Sequence, residues 1–260
     1  MNAVADRFDT AVRLATEAGA LALRMRPSPG ASSASLKGAQ DWLTEADGAV
    51  ERMLSKRLAR AYPADGFQGE ETGRARGGSI RWIVDPIDGT ANFMRGGRRF
   101  CVSLGCLDGD MPLIGIIVAP ALEETFAARQ GFGATLNGKP IHAAETLELV
   151  RATVELGWSQ RCPREAFLTL TDRVIAAGAM PRLSGSGALG LADVAAGRID
   201  AYVELHINLW DVAAALAILS EARATVSPFM SEEGPTFGNP ILAAAPGIAA
   251  AISAATSIAL

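Results

Sequence analysis

Apolar residues recur at helical spacing from the start of the chain. Phe8, Ala11, Val12, Ala15, Ala18 and Ala22 share one face, and Pro27 ends the run. The Pro/Ser/Gly segment 27–40 reads as a loop. Thr44 and Asp47 have capping-box spacing, which predicts a second helix burying Val50, Met53, Leu54, Leu58 and Ala61 before Pro63 closes it. A polar, Gly-rich stretch, 66–79, leads into four apolar runs at 80–84, 102–107, 113–118 and 125–128 that read as strands. Asp108-Gly109, between two of them, signals a hairpin. Beyond residue 150 strands and helices alternate: strands at 153–157 and 201–204, helices at 164–177, 187–196 and 210–222. A buried strand at 241–245 follows, and Pro246 suits the first turn of a terminal helix. The pattern predicts an antiparallel sheet in an N-terminal α+β half, about 1–149, and an α/β layer in a C-terminal half, about 150–260.

A length of 260 residues lies between one large domain and two small ones, and we expect one unit, 1–260, built of these halves. With 24 basic and 28 acidic residues and no Lys/Arg run beyond Arg95 to Arg99, a surface coating nucleic-acid phosphates is disfavoured. Cys101, Cys106 and Cys162 are an odd set without C-x-x-C spacing, as expected of thiols in a reducing compartment. Asp6, Arg7, Asp9, Arg13 and Glu17 interrupt the N-terminal apolar positions, so a secretory h-region is not expected and a cytoplasmic location is. The uncharged segment 234–260 is long enough to span a bilayer, but Pro240, Pro246, its many alanines and the lack of flanking cations oppose an anchor.

The chemistry concentrates in Trp82-Ile83-Val84-Asp85-Pro86-Ile87-Asp88-Gly89-Thr90-Ala91-Asn92-Phe93, a hydrophobic strand that ends in two carboxylates, a Pro, a Gly and a Thr. Pro86 is expected to stop the ladder, Gly89 to admit a ligand close to the backbone, and Thr90 to open a helix whose free N–H groups face an anion. Two carboxylates ~4 Å apart repel by roughly 4 kcal/mol at an effective dielectric of ~20, so Asp85 and Asp88 together call for a cation. The bland alternative is an Asx turn with solvated acids. Glu70 and Glu71 lie in a Gly-rich loop where a solvated turn is the competing reading, and Asp211 opens a helix where a first-turn acid would suffice. Together, Glu70, Asp85, Asp88 and Asp211 could form an all-oxygen site, for which Mg²⁺ is the natural ion. The two histidines, His142 and His206, lack zinc-ligand spacing and read as surface or core-edge residues.

These motifs resemble the inositol monophosphatase family of metal-dependent, lithium-sensitive phosphatases, over nearly the whole chain. Gly69-Glu70-Glu71 matches the family's Gly-Glu-Glu element, residues 85–93 match Asp-Pro-Ile/Leu-Asp-Gly-Thr-x-Asn-Phe, and 210–213 match Trp-Asp-x-Ala. Asp41 to Asp47 is similar to an upstream Asp-x-x-Thr-x-x-Asp segment, and Gly185 to Ala188 with Asp200 to Glu204 to the substrate region. The resemblance implies a layered α-β-α-β-α sandwich of the inositol monophosphatase / fructose-1,6-bisphosphatase type, a homodimer, and a small-molecule phosphate ester as partner. It also implies that Glu70, Asp85, the Ile87 carbonyl, Asp88 and Asp211 hold two or three Mg²⁺ ions. Thr90, with Asp47 behind it, would orient the attacking water, with Glu70 part of the same catalytic group. The Gly89 and Thr90 amides would grip phosphate. Glu71 would stand outside the ligand ring, while Asp88, Asp211, Ser186 and Glu204 would meet hydroxyls of the alcohol.

The resemblance leaves the substrate open. Inositol 1-phosphate or a similar polyol phosphate is the first expectation, with histidinol phosphate, fructose 1,6-bisphosphate and 3'-phosphoadenosine 5'-phosphate as alternatives. Arg95, Arg98 and Arg99 depart from the family pattern, and they read either as a solvated loop or as a seat for a second anionic group. Glu221-Ala222-Arg223-Ala224 stands where the family commonly has Glu-Ala-Gly-Gly. A haloacid-dehalogenase mechanism is disfavoured, because its Asp-x-Asp spacing is not that of Asp85 and Asp88. A non-catalytic or moonlighting RNA-associated factor is the alternative of a different class.

Overall fold

The N-terminal helices pack side by side on one face of a large sheet in the computed structural model, which describes residues 3–27, 35–38 and 41–260. Helix Ala3–Met25 buries Ala11, Leu14, Ala15, Ala18 and Ala22, and helix Glu45–Ala61 buries Val50, Leu54 and Leu58. The Thr44/Asp47 capping box forms as its spacing predicts. The apolar face of each helix therefore points at the sheet, where Trp82, Val84, Val102, Leu104, Ile114 and Ile116 complete one core.

That sheet has eight strands, in the order Lys139–Ile141, Ala134–Leu136, Glu124–Arg129, Met111–Ala119, Cys101–Asp108, Ile80–Asp88, Gly66–Gly69, Gly73–Arg76. Neighbours run antiparallel except Gly66–Gly69, which lies parallel to Ile80–Asp88. A second sheet orders Met180–Arg182, Thr153–Leu156, Ala201–Ile207, Asn239–Ala244 and Thr225–Val226, with the first three parallel and the last two antiparallel. Between the sheets lie helices Gly187–Ala195 and Leu209–Glu221. Helices Arg164–Ala176 and Ala249–Thr256 cover the far face of the second sheet. The layering is α-β-α-β-α.

The central helix layer touches apolar surface on both sides, and its composition shows it. Nine of the 13 residues of Leu209–Glu221 are buried. Its approach to the large sheet depends on two glycines. A Cβ at Gly115 would stand 2.0 Å from the Ala214 carbonyl oxygen, and one at Gly105 would stand 2.8 Å from the Ala213 Cβ. Only glycine on the strands and alanine on the helix allow this contact, and it fixes the height of the helix over the strand that carries Asp85 and Asp88.

Several elements differ from the sequence expectation. Segment 66–79 is not simply a loop: Gly66–Gly69 and Gly73–Arg76 extend the large sheet, held by pairing to Ile80–Asp88 and by the buried Phe67 rather than by an apolar alternation. Within 27–40, Ser35–Gly38 pairs with Asp41–Leu43, and residues 28–34 and 39–40 lie outside the described residues. Two hairpin strands, Ala134–Leu136 and Lys139–Ile141, and the edge strand Met180–Arg182 are three residues each, too short to show a period. Pro246 precedes the terminal helix, which begins at Ala249 rather than around the proline. The hairpin at Asp108-Gly109 forms as expected, with Asp108 paired to Met111. Arg223, at the exit of helix Leu209–Glu221, takes φ 62°. An arginine thus sits in the left-handed region at a position where glycine is favoured.

Candidate metal centre

Strand alternation alone would put Asp85 and Asp88 on opposite faces, since they are three residues apart. Pro86 does not stop the strand. Pairing runs on from Asp85 opposite Ser103 to Asp88 opposite Cys101, so three steps on one strand match two on the other. This one-residue bulge, placed where proline cannot donate to the ladder, reverses the parity and turns both carboxylates to the same face. That face is the one covered by helix Leu209–Glu221, whose Trp210 carbonyl accepts a 3.5 Å hydrogen bond from the Ser103 hydroxyl.

Asp211 lies in the first turn of that helix and accepts the Asn208 N–H at 2.9 Å. Its helix-capping role and its place in the site are therefore compatible. Asp85 accepts the Ile87 N–H at 2.9 Å, the Asx contact expected of it. Asp88 sits over the N-terminus of helix Gly187–Ala195, where it accepts the Gly187 and Ala188 amides at 3.2 and 3.0 Å, the Ser186 hydroxyl, and the Cys101 thiol at 3.6 Å. Oxygens of Asp85, Asp88 and Asp211 all lie within 4.8 Å of one another. Glu70 lines the cavity above, and its N–H donates to the Val84 carbonyl at 3.1 Å.

The electrostatics follow from burial and crowding. Desolvation, then the charges of Glu70, Asp88 and Asp211, hold the Asp85 carboxyl well above the usual carboxylate range. Asp211 is pushed up to about 7 by burial and by Asp88. Asp88 is raised less steeply, because Ser186 and the Ala188 and Gly187 amides favour its charged form against burial. Close, buried, all-oxygen acids without a cation among them are the donor set of a hard divalent ion, and the residues present fit Mg²⁺.

A cavity of about 630 Å³ opens over Glu70, Asp88 and Asp211, with Asp85 beneath. Ser186, Tyr202, Glu204, Trp158, Arg161 and His206 are among its other lining residues. Glu204 accepts the Tyr202 hydroxyl at 2.6 Å, and burial raises its carboxyl to about 8. Gly157 leaves the room for this pair, since a Cβ there would fall 2.1 Å from the Glu204 carboxylate. Ser186 faces the cavity, but its hydroxyl is given to Asp88 and caps the helix behind it. His206, half-buried at the edge of the core, also lines the cavity, with its ring Nε2 2.8 Å from the Phe237 carbonyl.

Gly89 adopts φ 84° and leads into helix Thr90–Met94. A side chain there would meet the Arg99 carbonyl at 2.7 Å. The Thr90 hydroxyl donates to the Ile87 carbonyl at 2.8 Å, so two predicted site groups are joined directly. Asp47 is buried and engaged by the Thr44 N–H and hydroxyl at 2.8 and 2.5 Å. Its carboxyl, raised to about 6 chiefly by burial, still adds its charge to the field at Asp85. Glu71 is half-buried, with its N–H donated to Glu51 at 2.9 Å.

The three arginines do not line the cavity. Arg98 donates to the Ala121 carbonyl at 2.7 Å, and Arg95 is exposed beside its own helix turn. Arg99 pairs with buried Asp193 at 3.0 Å, in a network where Arg182 and Arg198 share that acid and Arg182 also meets Glu155. Neither a solvated loop nor a second anion seat describes Arg99; it ties the segment to the helix layer. The guanidinium that does line the cavity is Arg161, on the loop after strand Thr153–Leu156, where a surface-like Trp-Ser-Gln-Arg sequence gave no signal.

A bulged strand that carries paired acids under an open cavity, in this layering, is a site built to hold a hard cation beside a small ligand. Residues 4–258 match the inositol monophosphatase family profile, and the chain belongs to that family. It is 39% identical over 200 residues to inositol monophosphatase 2 of Solanum lycopersicum, covering 73% of this chain and 76% of that one. It is also 37% identical over 201 residues to the Nus factor SuhB of Xylella fastidiosa, covering 76% and 73%. An IMPase structure from Thermotoga maritima superposes with a TM-score of 0.86 at 30% identity, covering 97% of each chain. Among the described residues no helix is long and apolar enough to cross a membrane.

Proposed function

We propose that this chain hydrolyses phosphomonoesters of small polyols, inositol 1-phosphate first among them, with Mg²⁺ held by Glu70, Asp85, the Ile87 carbonyl, Asp88 and Asp211. The observation that carries this reading is the convergence of Asp85, Asp88 and Asp211 oxygens within 4.8 Å beneath a cavity of about 630 Å³. Mg²⁺, as two or three ions, supplies the Lewis-acid charge that acidifies water and offsets negative charge on the phosphoryl group. The protein's own part is placement. Thr90 orients the attacking water, its hydroxyl aligned by the Ile87 carbonyl, and Asp47 and Glu70 bias that water toward losing its proton. The Gly89 and Thr90 amides hold a phosphate oxygen at the start of the short helix. Asp88, Asp211, Ser186 and Glu204 face the alcohol.

A cytoplasmic homodimer belongs to the same reading, supported by the family and by three free cysteines, of which Cys101 and Cys106 are buried. The test is phosphate release with Mg²⁺ from inositol 1-phosphate, histidinol phosphate, fructose 1,6-bisphosphate and 3'-phosphoadenosine 5'-phosphate, with and without Li⁺. Preference for inositol 1-phosphate and inhibition by Li⁺ support the proposal. Preference for a bisphosphate would move attention to Arg161. Release from none of them, with salt-dependent retention on RNA, would favour the role that the Nus factor name gives its relative.

A further inference from the structure

Glu70 lies in a tight turn, 70–72, between the short strands Gly66–Gly69 and Gly73–Arg76, while the other acids sit on a long strand and a buried helix. That turn is held from below by Glu51. This residue is one helical turn after Asp47 on helix Glu45–Ala61, on the same face as Val50, Leu54 and Leu58, and is 1% exposed. Its carboxylate accepts the Glu71 N–H at 2.9 Å, the Thr72 N–H at 3.0 Å and the Thr72 hydroxyl at 2.6 Å. Gly69, immediately before Glu70, makes the room: a Cβ there would fall 2.2 Å from a Glu51 carboxylate oxygen. Among the described residues no cation pairs with Glu51, so this buried acid is balanced by the three donors of the turn alone. It does not line the cavity and has no route to a bound alcohol.

We propose that Glu51 is a positioning residue of the metal centre, which locks the 70–72 turn so that Glu70 faces Asp85. The inference rests on the reading of Glu70 as a metal ligand. It separates the two buried acids of one helix by task, with Asp47 set toward the reacting water and Glu51 set beneath a ligand loop. Glu51→Gln keeps the side chain's shape but turns N–H groups toward donors, and Thr72→Val removes one donor at an exposed position.

The experiment measures Mn²⁺ binding to the substrate-free, full-length protein from the electron paramagnetic resonance signal of the free ion, alongside kcat at saturating Mg²⁺. Glu51→Gln is expected to raise the Mn²⁺ Kd by about tenfold and Thr72→Val to raise it less, as for other residues that orient a ligand. In both, kcat at saturating Mg²⁺ falls together with the affinity, because Glu70 also acts on the reacting water. Val50→Ala, which opens a cavity on the same buried helix face, should lower Tm and leave the Mn²⁺ Kd unchanged. Should Glu51→Gln fail to fold, Thr72→Val decides the matter. An unchanged Mn²⁺ Kd in the folded variants, or a loss confined to kcat, would overturn the assignment. An unaltered protein that binds no Mn²⁺ would overturn the metal centre itself along with it.

Discussion

Asp211, Glu204 and Asp47, with carboxyls at about 7, 8 and 6, carry protons that an ordinary surface acid has already lost. Their values in the unfolded chain lie near 4, so between about pH 4 and pH 8 the folded chain binds more protons than the unfolded one. Without a divalent ion, the stability these groups contribute is full below about pH 4 and declines as the pH rises through that window. A cation must displace the protons of Asp85 and Asp211, which makes its binding stronger in the alkaline half of the range. The rise in Tm on adding Mg²⁺ should thus be larger at pH 8 than at pH 6, as read by thermal melts at matched ionic strength. Equal shifts would contradict protonated acids at the centre. Thr90 acts on a different quantity. Thr90→Ala removes the hydroxyl held by the Ile87 carbonyl, and steady-state kinetics should show kcat falling by about 100-fold with a much smaller change in KM. A pure rise in KM would assign Thr90 to ground-state binding instead.

The elements matter to function chiefly through two devices, a bulge and a close helix–sheet contact. The bulge at Pro86-Ile87 gives Asp85 and Asp88 a common face, and the Gly105/Gly115 contact with Ala213 and Ala214 sets Asp211 over them. Gly115→Ala should cost about 1–3 kcal/mol in a denaturant melt, as overpacking does, and should also weaken Mg²⁺ binding because the helix carrying Asp211 is lifted. Lost stability with unchanged metal affinity would show that the helix is free to settle elsewhere. Much of this was legible beforehand. The long helices and the main strands follow from periodicity, the Asp-Pro-Ile-Asp-Gly-Thr motif points to Asp85 and Asp88, and Glu70 and Asp211 stand out only beside that motif, each having a bland reading by itself. The strands at 66–76 were not, because Gly-Phe-Gln-Gly and Gly-Arg-Ala-Arg have no alternation and owe their structure to partners elsewhere. Glu51 did carry a signal: an acid within an apolar face, four residues after a capping Asp. Arg161 carried none, since loop geometry alone brings it to the cavity.

At the scale of the molecule, the helix layer of Gly187–Ala195 and Leu209–Glu221 packs against both sheets, and its core joins the one that each half has of its own. The acids proposed as metal ligands come from both sides of the sequence boundary near residue 150, with Glu70, Asp85 and Asp88 before it and Asp211 after it. We propose that this shared layer makes the two halves one folding unit. Calorimetry should give a single transition whose calorimetric and van't Hoff enthalpies agree, moved to higher temperature by Mg²⁺. Two transitions, only one of them sensitive to Mg²⁺, would mean that the halves melt independently and that the shared layer does not join them.

The central claim is that the buried acids under the cavity form a phosphatase centre that works only with a divalent ion. It is tested most directly by following phosphate release from inositol 1-phosphate against Mg²⁺ concentration, for the unaltered protein and for Asp85→Asn. The account predicts no release in EDTA, saturable recovery as Mg²⁺ is added, and a loss of at least ~100-fold at saturating Mg²⁺ in a variant whose Tm in EDTA is not lowered, since Asn keeps the shape of an acid that burial already holds protonated without the ion. Release that ignores EDTA, or an Asp85→Asn protein that turns over as fast as the original, would contradict it.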